Sequence, residues 1–482
     1  MNKENNFGRL LILLLITLGA CLGLYYLPDT LFGFKIKKVD LLSDIRIQTG
    51  SLSIDSLRMQ LEQQDTVKID SVAVRDSIMK AMGTDSLSLA LRDSLYKTMY
   101  AEKGADSLGT RIEDYSLGHI GLKRFFAALK NSEQQNRPVR VAFVGDSFIE
   151  GDIIVADFRS GMQQRFGGRG VGFVPVASVA AQFRPTIILK SEGWTSWSML
   201  TDRSQAYTLS GMTFEGKDDK ASLSLKTTKQ YPESQSVSSV KLLYEQNENT
   251  VLHFASEGQP DTICETLPAT SNILQWERKG TFTNASFTFT GAKGFRALGV
   301  AMEDNNGVIV DNYSLRGNSG LILNRLDVSH CQAMNTVRPY DLIILQYGLN
   351  VVSDSMLQYG WYTKRMEDVI HHVRACFPQA DILLLGVSDR SRQVNGSFET
   401  MPAVLALLHA QRQTARRTGV AFWNVFGAMG GENSMVRFVE NNWASKDYTH
   451  MSFRGGREIA SALLKAILLE KEFYDEADKV AD

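Results

Sequence analysis

The spacing of apolar positions changes character several times along the chain, and each change marks a boundary. Residues 10–27 are apolar without a single charge, preceded by Lys3 and Arg9 and closed by Tyr25, Tyr26 and Pro28. At helical rise such a run just spans a thin hydrocarbon core, and tyrosines suit its interface, so residues 1–38 are expected to form an uncleaved membrane anchor. Residues 39–111 turn polar, with Asp-Ser pairs at Asp55-Ser56, Asp70-Ser71, Asp76-Ser77, Asp85-Ser86, Asp93-Ser94 and Asp106-Ser107. The intervals are irregular and aromatics few, which predicts a polar stalk or a linker and not a packed repeat.

From residue 112 an alternation of strand, turn and helix takes over. Residues 117–130 read as an amphipathic helix, 139–144 as a buried strand and 153–165 as a second helix. The glycine-rich stretch 166–173 lacks the lysine and serine of a phosphate-binding loop in register and reads as a tight turn. Between 191 and 302 the period becomes two, with short strands expected at 221–226, 237–244, 251–255, 282–290 and 295–302. After residue 307 the first pattern returns, with strands at 308–313, 341–347, 381–386 and 420–425 and helices at 321–334, 401–419 and 455–469. The expected fold is an α/β domain, residues 112–190 and 303–475, on a doubly wound, mainly parallel sheet. An all-β sandwich or jelly-roll module at 191–302 interrupts it.

Composition narrows the functional classes. A chain of 482 residues, 44% of them hydrophobic, can bury a large core in more than one domain, and a formal charge of −1 argues against nucleic acid as a partner. Cys21, Cys264, Cys331 and Cys376 include no C-x-x-C pair and the histidines are scattered, so neither a metal nor another cofactor is expected. Leu18-Gly19-Ala20-Cys21 resembles a bacterial lipobox, which would make Cys21 a lipidated terminus; the residues after it stay apolar where a lipoprotein turns polar, which favours the anchor. Lys35, Lys37 and Lys38 dilute the charge asymmetry that orients a span. The expectation remains an inner-membrane anchor with the folded domain in the periplasm.

Candidate chemistry clusters where predicted strands end. Gly145-Asp146-Ser147 closes the first strand and places a hydroxyl at a strand-to-helix turn, where free N–H groups can meet negative charge. Gly317-Asn318-Ser319-Gly320 follows the second strand, Gly348-Leu349-Asn350 the third, and Asp447-Tyr448-Thr449-His450 precedes the last helix. A serine needs a base, which His450 can supply near neutrality, and Asp447 can orient that imidazole. An oxyanion would be met by the N–H groups of Ser147 and Gly320, with Gly317 as the fallback in the same turn, and by the Asn350 amide. Asp146 and Asp152 read as braces of the serine turn.

These four blocks, in this order over residues 138–190 and 307–470, resemble the signature of the SGNH (GDSL) hydrolase family. The long Gly-Asp-Ser-x-x-x-Gly-Asp opening, the Arg165-to-Phe173 segment and the β insertion are similar to the periplasmic peptidoglycan O-acetylesterases in it. That resemblance implies an acyl-serine intermediate on Ser147, with Asp447 and His450 completing a triad, acting on an acetylated glycan. One departure stands out: Phe148 occupies a position where the family's first block usually has histidine. Two other readings stay open. One is an acetyltransferase using the same triad with a membrane O-acyltransferase partner, and the other is a non-catalytic glycan-binding envelope protein.

Overall fold

The computed structural model describes residues 30–31, 34–35, 92–98 and 111–481, the last apart from 133, 179–182 and 260–261. The expected anchor at 10–27, Cys21 with it, and most of the stalk lie outside the described residues. Among the described residues no helix is long and apolar enough to cross a membrane. Thr30–Leu31 pairs with Phe34–Lys35 in a small antiparallel ladder.

The central sheet runs in the order Val308–Ser314, Val139–Gly145, Leu342–Gln346, Asp381–Leu385, Ala421–Trp423 and Ile112–Asp114. The first five strands are parallel and the last is antiparallel. Every residue of Val139–Gly145 and Leu342–Gln346 is buried, as expected of central strands covered on both faces. Counted along the chain, the five parallel strands have the spatial order 2-1-3-4-5. The winding reverses between Val139–Gly145 and Leu342–Gln346, which opens a crevice at their carboxyl ends.

The β module is a pair of antiparallel sheets. One contains Leu274–Phe282, Val237–Gln246, Arg296–Glu303, Met212–Gly216 and Trp194–Ser198; the other contains Ile263–Thr266, Val251–Ala255, Asn284–Thr290, Lys220–Thr227 and Ile187–Glu192. Leu242, Tyr244, Ala297 and Val300 from the first share one buried core with Leu223, Phe254, Phe287 and Phe289 from the second. The expected single strand at 282–290 is in fact the point where the chain passes from one sheet to the other. The glycine-rich stretch also differs from expectation, because Gly170–Pro175 is a strand hydrogen-bonded to Arg296–Glu303. Its glycines permit close approach: a Cβ would lie 2.2 Å from Met302 O at Gly170 and 2.2 Å from an Asp311 carboxylate oxygen at Gly172.

Buried charges join the sandwich to the parallel sheet. Glu303 and Lys241 lie on sandwich strands, Arg140 and Asp311 on the parallel sheet, and Arg338 just before Leu342. Glu303 accepts from Arg140 Nη2 at 2.6 Å, Lys241 Nζ at 2.8 Å and Arg338 Nη2 at 2.6 Å, while Arg338 also reaches Asp311 at 2.7 Å. Burial alone would raise the pKa of Glu303, but the three cations outweigh it and hold the carboxyl well below its ordinary value.

Part of the polar segment is folded. Residues 92–98 are helical, and Tyr96 Oη donates to Ile112 O at 3.0 Å and accepts from Asp114 N at 3.2 Å. One hydroxyl thereby bonds two backbone groups of the sheet's edge strand. The Tyr96 ring stacks on His119 at 3.6 Å and meets Phe473 edge-on at 4.9 Å. Tyr96→Phe keeps the rings and strips the hydroxyl, so it should cost about 1–2 kcal/mol. A melting temperature lowered by a few degrees in thermal unfolding is the expected readout, and an unchanged one would show the cap to be idle.

Asp381 opens its strand and accepts from Phe125 N at 2.9 Å, which ties the helix Lys123–Lys130 to the sheet. Burial pushes its carboxyl up to about 7, only partly offset by that N–H and by Arg124. The folded state therefore holds a proton that the unfolded chain releases near pH 4, so this group's contribution weakens as pH rises from about 4 to about 7. Asp381→Asn keeps an acceptor for Phe125 N without the charge. Relative to wild type its melting temperature should be higher at pH 8 than at pH 5; a constant difference would refute the titration.

Candidate active site

The serine turn is built by its neighbours. At Gly145 a Cβ would sit 2.8 Å from Gln346 O and 3.0 Å from Gln346 Oε1, so the strand can end beside Leu342–Gln346 only with glycine there. Asp146 is fully buried and accepts from Phe148 N and Asn350 Nδ2, each at 2.9 Å. Burial raises its carboxyl to about 6, moderated by those two donors and by nearby His450. Ser147 is partly exposed, and neither its N–H nor its Oγ has a hydrogen-bond partner among the described residues. Phe148 is 2% exposed, so the residue after the serine is part of the buried core.

A short 3-10 turn, Glu150–Asp152, precedes the helix Val155–Phe166. Gly151 and Asp152 both have positive φ, 64° and 65°. Asp152 is held there by Arg159 at 3.0 Å, Arg184 at 3.1 Å, Thr186 Oγ1 at 2.8 Å and Asn312 Nδ2 at 2.8 Å. Burial opposes its charge, but the two guanidiniums prevail and keep the carboxyl well below its ordinary value.

Across the crevice, Asn350 follows Leu342–Gln346. Its Nδ2 donates to Asp146 Oδ2 at 2.9 Å and to Asn318 O at 3.0 Å, so a bound oxyanion would compete with the Asn318 carbonyl for one of these hydrogens. The two glycines of the Gly317–Gly320 turn sit in different surroundings. The Gly320 N–H is already donated to Asn318 Oδ1 at 2.8 Å, and a Cβ there would lie 2.8 Å from the Tyr347 ring, so Gly320 is a packing glycine. Gly317 is exposed with φ 75°, and its N–H has no partner among the described residues. An ion pair between Arg316 and Glu150 ties this turn to the serine turn.

The third group comes from the loop before the helix Phe453–Ala481. Asp447 Oδ2 accepts from His450 Nδ1 at 2.7 Å, while Oδ1 accepts from Thr449 N and His450 N, each at 3.0 Å. Those donors overcome the effect of partial burial and hold Asp447 below its ordinary value. With Nδ1 committed to the carboxylate, Nε2 is the ring nitrogen left for proton transfer. His450 makes no hydrogen bond to Ser147 in this structure; it stands near enough to Asp146 to favour that residue's ionised form.

Sequence reasoning missed the antiparallel hairpin Ser391–Val394 with Ser397–Thr400, which stands between the Asn350 and His450 loops. Its signal was present: Asn395-Gly396, with φ of 50° and 87°, is the dipeptide favoured in two-residue hairpin turns.

Residues 168–282 match the family model described as "Peptidoglycan O-acetylesterase, N-terminal". The chain is also similar to a solved structure described as "Peptidoglycan O-acetylesterase in action, 5 min", with a TM-score of 0.60 and 20% identity over 74% of this chain and 98% of that one. Smaller likenesses are to an acetyl xylan esterase (TM-score 0.26, 14% identity, 33% of this chain and 81% of that one) and a putative GDSL-like lipase from Parabacteroides merdae (TM-score 0.27, 13% identity, 34% and 74%). No curated protein matches the chain in sequence. The resemblance to SGNH hydrolases, and among them to peptidoglycan O-acetylesterases, stands on the family match and the shared fold.

Proposed function

We propose that this chain, which carries the matched N-terminal segment and the fold of a peptidoglycan O-acetylesterase, is a serine esterase that removes O-acetyl groups from an envelope polysaccharide. Peptidoglycan is the substrate, and the enzyme works in the periplasm, held to the inner membrane by residues 10–27. The observation that carries this reading is the Asp447–His450 pair at 2.7 Å, at the same sheet edge as an unpartnered Ser147 hydroxyl.

In the proposed reaction His450 Nε2 takes the Ser147 proton as Oγ bonds to the acetyl carbonyl carbon. The oxyanion is received by the N–H groups of Ser147 and Gly317 and by the Asn350 amide. Collapse breaks the bond to the sugar oxygen, which leaves with the proton from His450, and an acetyl-serine remains. Water, deprotonated by His450, then attacks that ester, and acetate departs as Oγ recovers its proton. Asp447 holds the ring tautomer throughout and stabilises the imidazolium.

The test is to incubate the full chain with O-acetylated peptidoglycan and measure free acetate, with Ser147→Ala as the control. Ser147-dependent acetate supports the esterase. Acetyl groups appearing on a second glycan instead would make it a transferase, and glycan binding without either product would make it a binding protein.

A further inference from the structure

We infer that Phe398, at the end of the hairpin beside the site, is a positioning residue that holds the His450 loop in its working shape, an inference that rests on His450 being the base. The loop has an unusual backbone. Tyr448, between Asp447 and His450, has φ 54°, a left-handed conformation that a bulky residue keeps only when its surroundings impose it. That turn lets a single Asp447 carboxylate receive Thr449 N, His450 N and His450 Nδ1 together.

The restraint on Tyr448 comes chiefly from the hairpin. The Phe398 ring stacks on the Tyr448 ring with centroids 3.6 Å apart and planes within 9°. Ser391 N donates to Tyr448 O at 3.2 Å, and Tyr448 N donates to Ser445 O at 3.1 Å. The hairpin is itself fixed at its base. Buried Asp389 accepts from Thr400 Oγ1 at 2.9 Å, Ser434 Oγ at 3.2 Å and Met435 N at 2.8 Å, while Asn433 N donates to Thr400 Oγ1 at 2.7 Å. On its other side Arg390 reaches Val352 O and Arg392 reaches Asp354, each at 3.4 Å, in the loop that follows Asn350. One rigid element thus touches the loops carrying the base and an oxyanion donor. Without the Phe398 ring Tyr448 can relax toward negative φ, and the imidazole loses its fixed direction.

The experiment compares Phe398→Ala, Phe398→Leu and Phe398→Tyr with wild type in the full chain, using p-nitrophenyl acetate, whose hydrolysis needs no glycan recognition. For Phe398→Ala the expected result is a kcat lower by about tenfold to a hundredfold with KM little changed. The pH dependence of kcat should shift, Phe398→Tyr should restore both, and Phe398→Leu keeps bulk without a ring to stack. A second readout needs no turnover: the downfield proton resonance of the His450 Nδ1–H bonded to Asp447 should broaden or vanish in Phe398→Ala and return in Phe398→Tyr. If wild type hydrolyses nothing, the esterase reading fails while the resonance still decides the positioning role. The inference is overturned if Phe398→Ala keeps the wild-type kcat, pH profile and resonance. It is equally overturned if Leu and Tyr restore them alike, which would reduce Phe398 to filler.

Discussion

Ser147→Ala is expected to lower kcat for acetate release by about ten-thousand-fold to a million-fold while leaving the melting temperature where it was. Both halves of that outcome follow from the same observation. The Ser147 hydroxyl has no hydrogen-bond partner among the described residues, so its removal strands no donor or acceptor in the fold. The turn around it is held by Asp146 and Asp152, whose partners the substitution leaves in place. In the proposed reaction, by contrast, Ser147 Oγ is the atom that bonds to the acetyl carbon. Acetate release from O-acetylated peptidoglycan and hydrolysis of p-nitrophenyl acetate measure the loss, and circular dichroism melting measures the fold. Activity surviving in the alanine variant would remove Ser147 from the mechanism.

The second large effect is on stability. Glu303→Gln should cost at least about 3–5 kcal/mol, because it leaves Arg140, Lys241 and Arg338 buried together with Asp311, and Glu277 at 4.0 Å from Lys241, to balance them. Against a typical net stability of about 5–15 kcal/mol, that is enough to halve the margin or abolish the fold. Lys241→Met is the informative comparison: it removes one cation and keeps Glu303 paired with two arginines, so its cost should be clearly smaller. The ionised Glu303 stabilises the fold above its unfolded value near pH 4.5, and that contribution disappears as pH falls through the lower folded value. Chemical denaturation at neutral pH should therefore separate the two variants. A Glu303→Gln chain as stable as wild type would show that the cluster had been neutralised some other way.

The placement of Ser147, Asn350 and His450 on loops at one sheet edge was legible because each follows or precedes a strongly patterned element. The strands Val139–Gly145 and Leu342–Gln346 are nearly continuous apolar runs, and such runs are hard to misread. The Gly317–Gly320 turn was legible as a turn, but not which glycine is free to donate, because that depends on where the Asn318 side chain folds back. Ile112–Asp114 is three residues long, too short to show a period, and its pairing with Ala421–Trp423 is fixed by chain more than 300 residues away. Gly170–Pro175 was hidden for the opposite reason: glycine is poor in strands by propensity, yet here close backbone approach requires it. The two halves of the sequence signal that the hairpin offered, a turn dipeptide and flanking strands of four residues each, are separately weak.

The helix Phe453–Ala481 links the His450 loop to the segment at residues 92–98, two parts of the fold that lie far apart. It starts three residues after His450, and Asp478 lies 25 residues beyond Phe453, about 37 Å further along the helix axis at 1.5 Å per residue. Asp478 pairs with Lys130, just ahead of the strand that leads to Ser147, and with Arg92 at the start of the docked segment. Arg92, where the docked segment begins, is thus held at the far end of this helix from the His450 loop.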